Sequence, residues 1–249
     1  MIGRVRLRVA DLDRVRSYYE RTIGLHADGL SLGVDGTSLI ELIDDPGAAP
    51  APAGSTGLFH LAILVPDRPS LARAVQRVVK SGERFTGASD HFVSEALYLR
   101  DPEGNGIEIY RDRPRSEWEY GPGGELQMGT VALDLDSVLA EMPEGGDSGM
   151  PDGTRIGHVH LHVADLAGAE SFYAGDLGLD VTVRSYPGAL FLSRDGYHHH
   201  IGLNTWQGEG APAPPPGARG LEDFELFLPG SEGRELADPS GNRLVVRAG

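Results

Sequence analysis

The chain repeats itself. Residues 2–25, IGRVRLRVADLDRVRSYYERTIGL, align without a gap on 156–179, IGHVHLHVADLAGAESFYAGDLGL, with 12 of 24 positions identical. GLFHLAILVP at 57–66 resembles GLEDFELFLP at 220–229, and DPEGNGIEI at 101–109 resembles DPSGNRLVV at 238–246. A fold that accepts this sequence must therefore be built from related units. Four follow in order: A (2–43), B (57–112), A′ (155–206) and B′ (219–249). We divide the chain into a first pair of modules at 1–113, a linker at 114–154 and a second pair at 155–249. Module B′ is truncated. Its first motif lies 163 residues after that of B but its second only 137 after, so 26 residues, the helix of B and a neighbouring strand, have no counterpart.

Alternation marks the opening strand of each module. Val5, Leu7 and Val9 share one face, and Arg4, Arg6 and Arg8 the other. A helix follows, as at 71–79 in module B with Ser70 as its cap, and Gly24 and Gly178 end the equivalent helices of A and A′. Short strands separated by glycine turns complete each unit as βαβββ, an α+β pattern. The chain carries 22 basic and 37 acidic side chains, a net charge of −15, which argues against nucleic acid or an anionic membrane as partner. No apolar run approaches the roughly 20 residues that span a bilayer, and the opening MIGRV reads as a strand, not a signal peptide. There is no cysteine. Disulfides, thiolate nucleophiles and zinc–thiolate sites are excluded, and a cytoplasmic location is expected.

Paired βαβββ modules, the opening IGHVHLHVADL with FY in the following helix, and the closing DPEGNGIEIY resemble the vicinal oxygen chelate superfamily. Within it, FHLAILVPDR, GASDHFVSEALYLRDPEGNGIEIY and GYHHHIGLNTW are most similar to extradiol catechol 2,3-dioxygenases. The resemblance implies four modules paired into two half-barrels, two modules closing into a half-barrel around one metal. It also implies cleavage of a small aromatic diol by O2, as in aromatic compound catabolism.

Eight of the nine histidines fall inside these motifs. Superposing the module openings puts His60 and His158 in one slot, filled by Arg4 in A and Asp223 in B′. The closing-strand slot holds Glu108 in B and Val245 in B′. The family places its ligands at the first strands of two paired modules and the last strand of one, and His60, His158 and Glu108 match those positions. Two histidines and a carboxylate suit Fe(II), with Mn(II) the alternative. The set is complete only if B pairs with A′. Pairing A with B would instead bring Glu41 beside His60, Glu108 and Arg4. The resemblance further implies an acid–base histidine in an HH-x-L context, matched best by His200 and next by His199, and a histidine–tyrosine pair matched by His91 and Tyr98. His160 and His162 share the strand face of His158 and either line the pocket or are ordinary core histidines. Trp206 and Tyr197 are candidates to stack on an aromatic ring, or pack in the core. A glyoxalase or isomerase and a non-catalytic binding module of the same superfamily are the competing readings. The short B′ module is expected to expose apolar surface for a second copy, making a homo-oligomer.

Overall fold

The computed structural model describes residues 1–146 and 149–249. Module A supplies β1 (Ile2–Val9), α1 (Leu12–Tyr18), β2 (His26–Asp28), β3 (Ser31–Val34) and β4 (Thr37–Asp44). Module B supplies β5 (Gly57–Leu64), α2 (Arg68–Ser81), β6 (Gly87–Asp90), β7 (Ser94–Arg100) and β8 (Gly106–Asp112). The linker adds β9 (Val131–Ala132) and α3 (Leu135–Leu139). Module A′ follows with β10 (Arg155–His162), α4 (Leu166–Glu170), β11 (Asp180–Val183), β12 (Ala189–Ser193) and β13 (Ile201–Asn204). Module B′ has only β14 (Gly220–Leu228), β15 (Arg234–Ala237) and β16 (Arg243–Ala248), without a helix. No helix among the described residues is long and apolar enough to cross a membrane.

The strands form two curled, mixed sheets in an α+β fold. One runs β15-β16-β14-β1-β4-β3-β2 and the other β11-β12-β13-β10-β5-β8-β7-β6-β9. Each sheet thus takes one module from each half of the chain: A with B′, and B with A′. The seams are antiparallel, β1 against β14 and β5 against β10. One continuous apolar core joins the sheets and helices, with Val5, Leu7 and Val9 of the opening alternation all buried.

Repeated polar residues set the turns. Asp11, Asp67 and Asp165, one per module opening, accept hydrogen bonds from helix N-terminal amides and start α1, α2 and α4. The cap of α2 is therefore Asp67; Ser70 donates to it through its amide at 2.8 Å. The Asp-Pro-x-Gly-Asn turn also recurs. Asp101 accepts from the amides of Glu103 and Asn105, and Asp238 from those of Ser240 and Asn242. A buried tyrosine of the preceding module reaches each turn, Tyr19 to Asp101 and Tyr173 to Asp238. The YY and FY motifs thereby tie A to B and A′ to B′, across the sheets instead of within them.

The Arg4, Arg6 and Arg8 face of β1 is an ion-pair ladder. Arg4 pairs with Glu41 and Glu225, Arg6 with Asp223, and Arg8 with Asp45 and Glu222. None of the exposed large hydrophobic residues among the described residues belongs to module B′. The apolar surface expected from its truncation is absent: Phe224, Leu226 and Leu228, on the strand face a helix would cover, are buried in the core.

Candidate metal centre

The register of β10, β5 and β8 builds the site. Ala62 of β5 lies opposite His158 of β10 on one side and Glu108 of β8 on the other. His60, two residues earlier on the same face of β5, completes a triangle around the small Ala62 side chain. Gly106 lets β8 lie this close: a Cβ there would sit 2.0 Å from the Phe59 carbonyl oxygen.

All three side chains are buried. His60 Nε2 and Glu108 Oε2 are 2.9 Å apart, His158 Nε2 and Glu108 Oε2 3.1 Å, and the two Nε2 atoms 3.3 Å. Perpendicular donors each about 2.1 Å from one ion would sit about 3.0 Å apart. The spacing fits a face of an octahedron with the other positions open, the arrangement of a 2-His-1-carboxylate centre. Burial pushes the Glu108 carboxyl up, but the contacts with His158 and His60 outweigh it and hold it well below the usual carboxylate range. Burial also pushes His158 down to about 4, against the pull of Glu108. An ionised carboxylate beside a neutral imidazole has its lone pairs ready for a cation. His60, His158 and Glu108 can therefore hold a divalent metal.

The triad lines a cavity of about 390 Å³ whose walls include Phe59, Met128, Tyr186, Phe191 and Trp206. His91 and Tyr98 line it too. His91 Nδ1 is 2.7 Å from the Gly129 carbonyl, so it donates there, and His91 Nε2 accepts from the Tyr98 hydroxyl at 2.6 Å. Burial and the Glu108 charge raise Tyr98 well above its ordinary value, keeping the hydroxyl protonated.

Residues 198–200 do not form a strand; they lie in an irregular segment before β13. The middle residue, His199, lines the cavity, its ring centroid 4.0 Å from that of His158. His200, the better motif match, turns away. Its Nδ1 accepts from the Arg194 amide at 3.2 Å, and its ring packs on Tyr197. His160 lines the cavity, and its Nε2 has no hydrogen-bond partner among the described residues. His162 instead donates from Nδ1 to Asn204 Oδ1 at 2.6 Å, an ordinary hydrogen-bonded core histidine. His26 is exposed on β2. Glu41 lies in the other sheet, bound to Arg4, so a site containing it is not formed. Trp206 is part of the cavity wall, whereas Tyr197 bonds to Asp112 outside it.

Motif comparison missed the contact between Asp112 and His198. Strand alternation places Asp112 on the same face as Glu108 and Tyr110, but nothing local links it to His198, 86 residues on. The linker residues Met128, Gly129 and Thr130 also line the cavity, with no periodicity to announce them.

The sequence profile described as Glyoxalase/Bleomycin resistance protein/Dioxygenase superfamily matches residues 1–109. A catechol-2,3-dioxygenase of Bacillus subtilis (strain 168) is 43% identical over 244 residues, which is 94% of this chain and 85% of that protein. Two crystal structures share the fold. A putative dioxygenase from Bacillus subtilis subsp. subtilis str. 168 matches with TM-score 0.65 and 14% identity, over 98% of this chain and 84% of that one. Glyoxalase I from Zea mays matches with TM-score 0.60 and 17% identity, over 98% and 91%.

Proposed function

This chain belongs to the Glyoxalase/Bleomycin resistance protein/Dioxygenase superfamily, and on that footing we propose that it is an extradiol ring-cleaving dioxygenase acting on a catechol-type diol. One observation carries the reading: His60, His158 and Glu108 converge on one point in an aromatic-walled cavity that also presents His199 and the His91–Tyr98 pair. The 43% identical relative named for this reaction supports it. Both atoms of O2 enter the product as the ring bond beside a hydroxyl breaks.

His60, His158 and Glu108 would hold Fe(II), with Mn(II) the alternative, since this donor set suits both. When bound, the metal supplies a Lewis acid for the diol oxygens and a place beside them for O2. The chain's own groups do the rest. Phe59, Phe191 and Trp206 flank the aromatic ring and exclude water. His199 takes the proton of a diol hydroxyl; burial holds this imidazole well below its ordinary value, so it is neutral and able to accept. Tyr98, its hydroxyl held by His91, offers a proton donor on the other side of the triad. Asp101, Gly104 and Asn105 serve the turn before the Glu108 strand and take no part in the chemistry.

The reactants are a small aromatic diol and O2, and we assign the protein to the cytoplasm, where a chain without cysteine needs no disulfide. The test is anaerobic loading with Fe(II), then addition of catechol and air. The expected result is a yellow ring-opened product with one O2 consumed per catechol. Metal bound at one per chain with no O2 uptake would replace this reading by the isomerase one. A chain that binds no metal would instead be a sequestering module.

A further inference from the structure

We infer that Asp112 and His198 are positioning residues that hold His199 in the one neutral tautomer whose Nε2 lone pair faces the cavity. The inference rests on the reading of His199 as the proton acceptor.

Donors and acceptors follow from one another along these side chains. Asp112 Oδ1 lies 2.8 Å from His198 Nε2. An ionised carboxylate has no proton to give, so His198 Nε2 carries the hydrogen. A neutral imidazole has one N–H, which leaves His198 Nδ1 as a bare acceptor. His199 Nδ1 is 2.8 Å from it, so His199 must donate from Nδ1. The remaining nitrogen, His199 Nε2, is then unprotonated. No other hydrogen bond to the His199 side chain exists among the described residues, and this ring lines the cavity beside His158.

The surroundings keep this order from reversing. Tyr197 donates to the same Asp112 oxygen at 3.1 Å, and Tyr110 donates to Tyr197 at 2.7 Å. His198 is fully buried, with ring centroids of Tyr197 at 4.1 Å and Trp118 at 5.6 Å. Turning its ring over would replace each bonded nitrogen with carbon and lose both hydrogen bonds. Asp112 also shares β8 with Glu108, so one strand carries a metal-site carboxylate and the carboxylate that orients the imidazole.

Asp112→Asn tests this, because an amide can donate to His198 Nε2 and reverse both tautomers. The first readout is the ring ¹⁵N spectrum of histidine-labelled full-length protein, in its diamagnetic zinc form or as purified should no metal bind. The wild type should show His199 protonated at Nδ1 alone, and Asp112→Asn should move that proton to Nε2. In the Fe(II) enzyme, kcat should fall about 10²- to 10⁴-fold while KM and metal content hold, and Asp112→Glu should restore most of the rate. A wild-type His199 protonated at Nε2, or a doubly protonated His198, overturns the inference, as does an Asp112→Asn variant whose tautomers reverse while kcat is unchanged. Should Asp112→Asn not fold, the wild-type spectrum alone decides. The spectrum also decides if no catechol is cleaved, so failure of the enzymatic reading is distinguishable.

Discussion

Of the three consecutive imidazoles at 198–200, only His199 faces the candidate metal centre. His200 is tied to the Arg194 amide, and its burial pushes it down to about 3. The two should separate in kinetics. His199→Gln is expected to lower kcat about 10²- to 10⁴-fold, the usual worth of a positioned acid–base group. His200→Gln should stay within about threefold, since a lost amide contact outside the cavity touches stability and not proton transfer. Steady-state rates on catechol check both, and a larger loss at His200 would reverse the assignment. The candidate metal ligands make a second residue-scale prediction. His158→Ala should abolish metal binding as completely as His60→Ala, measured as metal per chain after gel filtration. Glu41→Ala should leave the metal in place and cost at most about 1 kcal/mol, since it breaks a half-exposed ion pair in the other sheet. Loss of metal with Glu41, and retention without His158, would mean that the site is assembled from different modules.

At the scale of elements, α2 is fastened to the sheet that carries Glu108 through one buried carboxylate. Glu95 of β7 accepts from Arg68 of α2 at 2.8 Å and from Arg111 of β8 at 2.7 Å. Burial pushes Glu95 up, but the hydrogen bonds from Arg68 and Arg111 outweigh it and hold it below its ordinary value of 4.5. The sign follows from linkage: an unfolded carboxyl with the higher pKa takes up protons first as pH falls, so acid favours the unfolded chain. The stabilisation from Glu95 is thus complete above about pH 5 and lost as pH drops through its depressed folded value. Glu95→Gln should lower the urea midpoint at pH 7, and its gap from the wild type should narrow as pH drops below the ordinary value of 4.5 and through the depressed folded one. A gap that stays constant with pH would show that Glu95 acts through packing and not through its charge. The turns need no such titration to explain them. Asp101 and Asp238 each gather the amides of their own turn and a tyrosine from the preceding module, which is why Asp and Asn recur there with glycine between them.

At the scale of the whole molecule, each sheet joins distant stretches of chain, and the site lies on the seam between β5 and β10. Backbone pairing and not the linker holds His60 and His158 together. Cutting a protease site inserted after Glu144 in the folded protein should therefore leave metal content and activity unchanged, measured on the nicked protein after gel filtration. Separation of the pieces with loss of metal would show that the linker supplies the cohesion. The repeat, the four modules and the truncation of the last were legible in residue order, because a βαβββ unit needs the same alternation, cap and turn residues each time it is built. The candidate ligand types were legible too: the two first-strand histidines and one last-strand glutamate that the structure brings together stand where other modules carry Arg4, Asp223 and Val245. Side-chain alternation at 198–200 sets His199 apart from His198 and His200, as the structure has them, but could not say which of the two faces meets the cavity. It could not reveal the Asp112–His198 contact or the linker wall either, because neither follows from local pattern. The sequence by itself determined the units and the chemistry they carry. Tertiary structure alone decided which imidazole meets the cavity and which carboxylate orients it, because those depend on backbone direction and on packing between residues far apart in the chain.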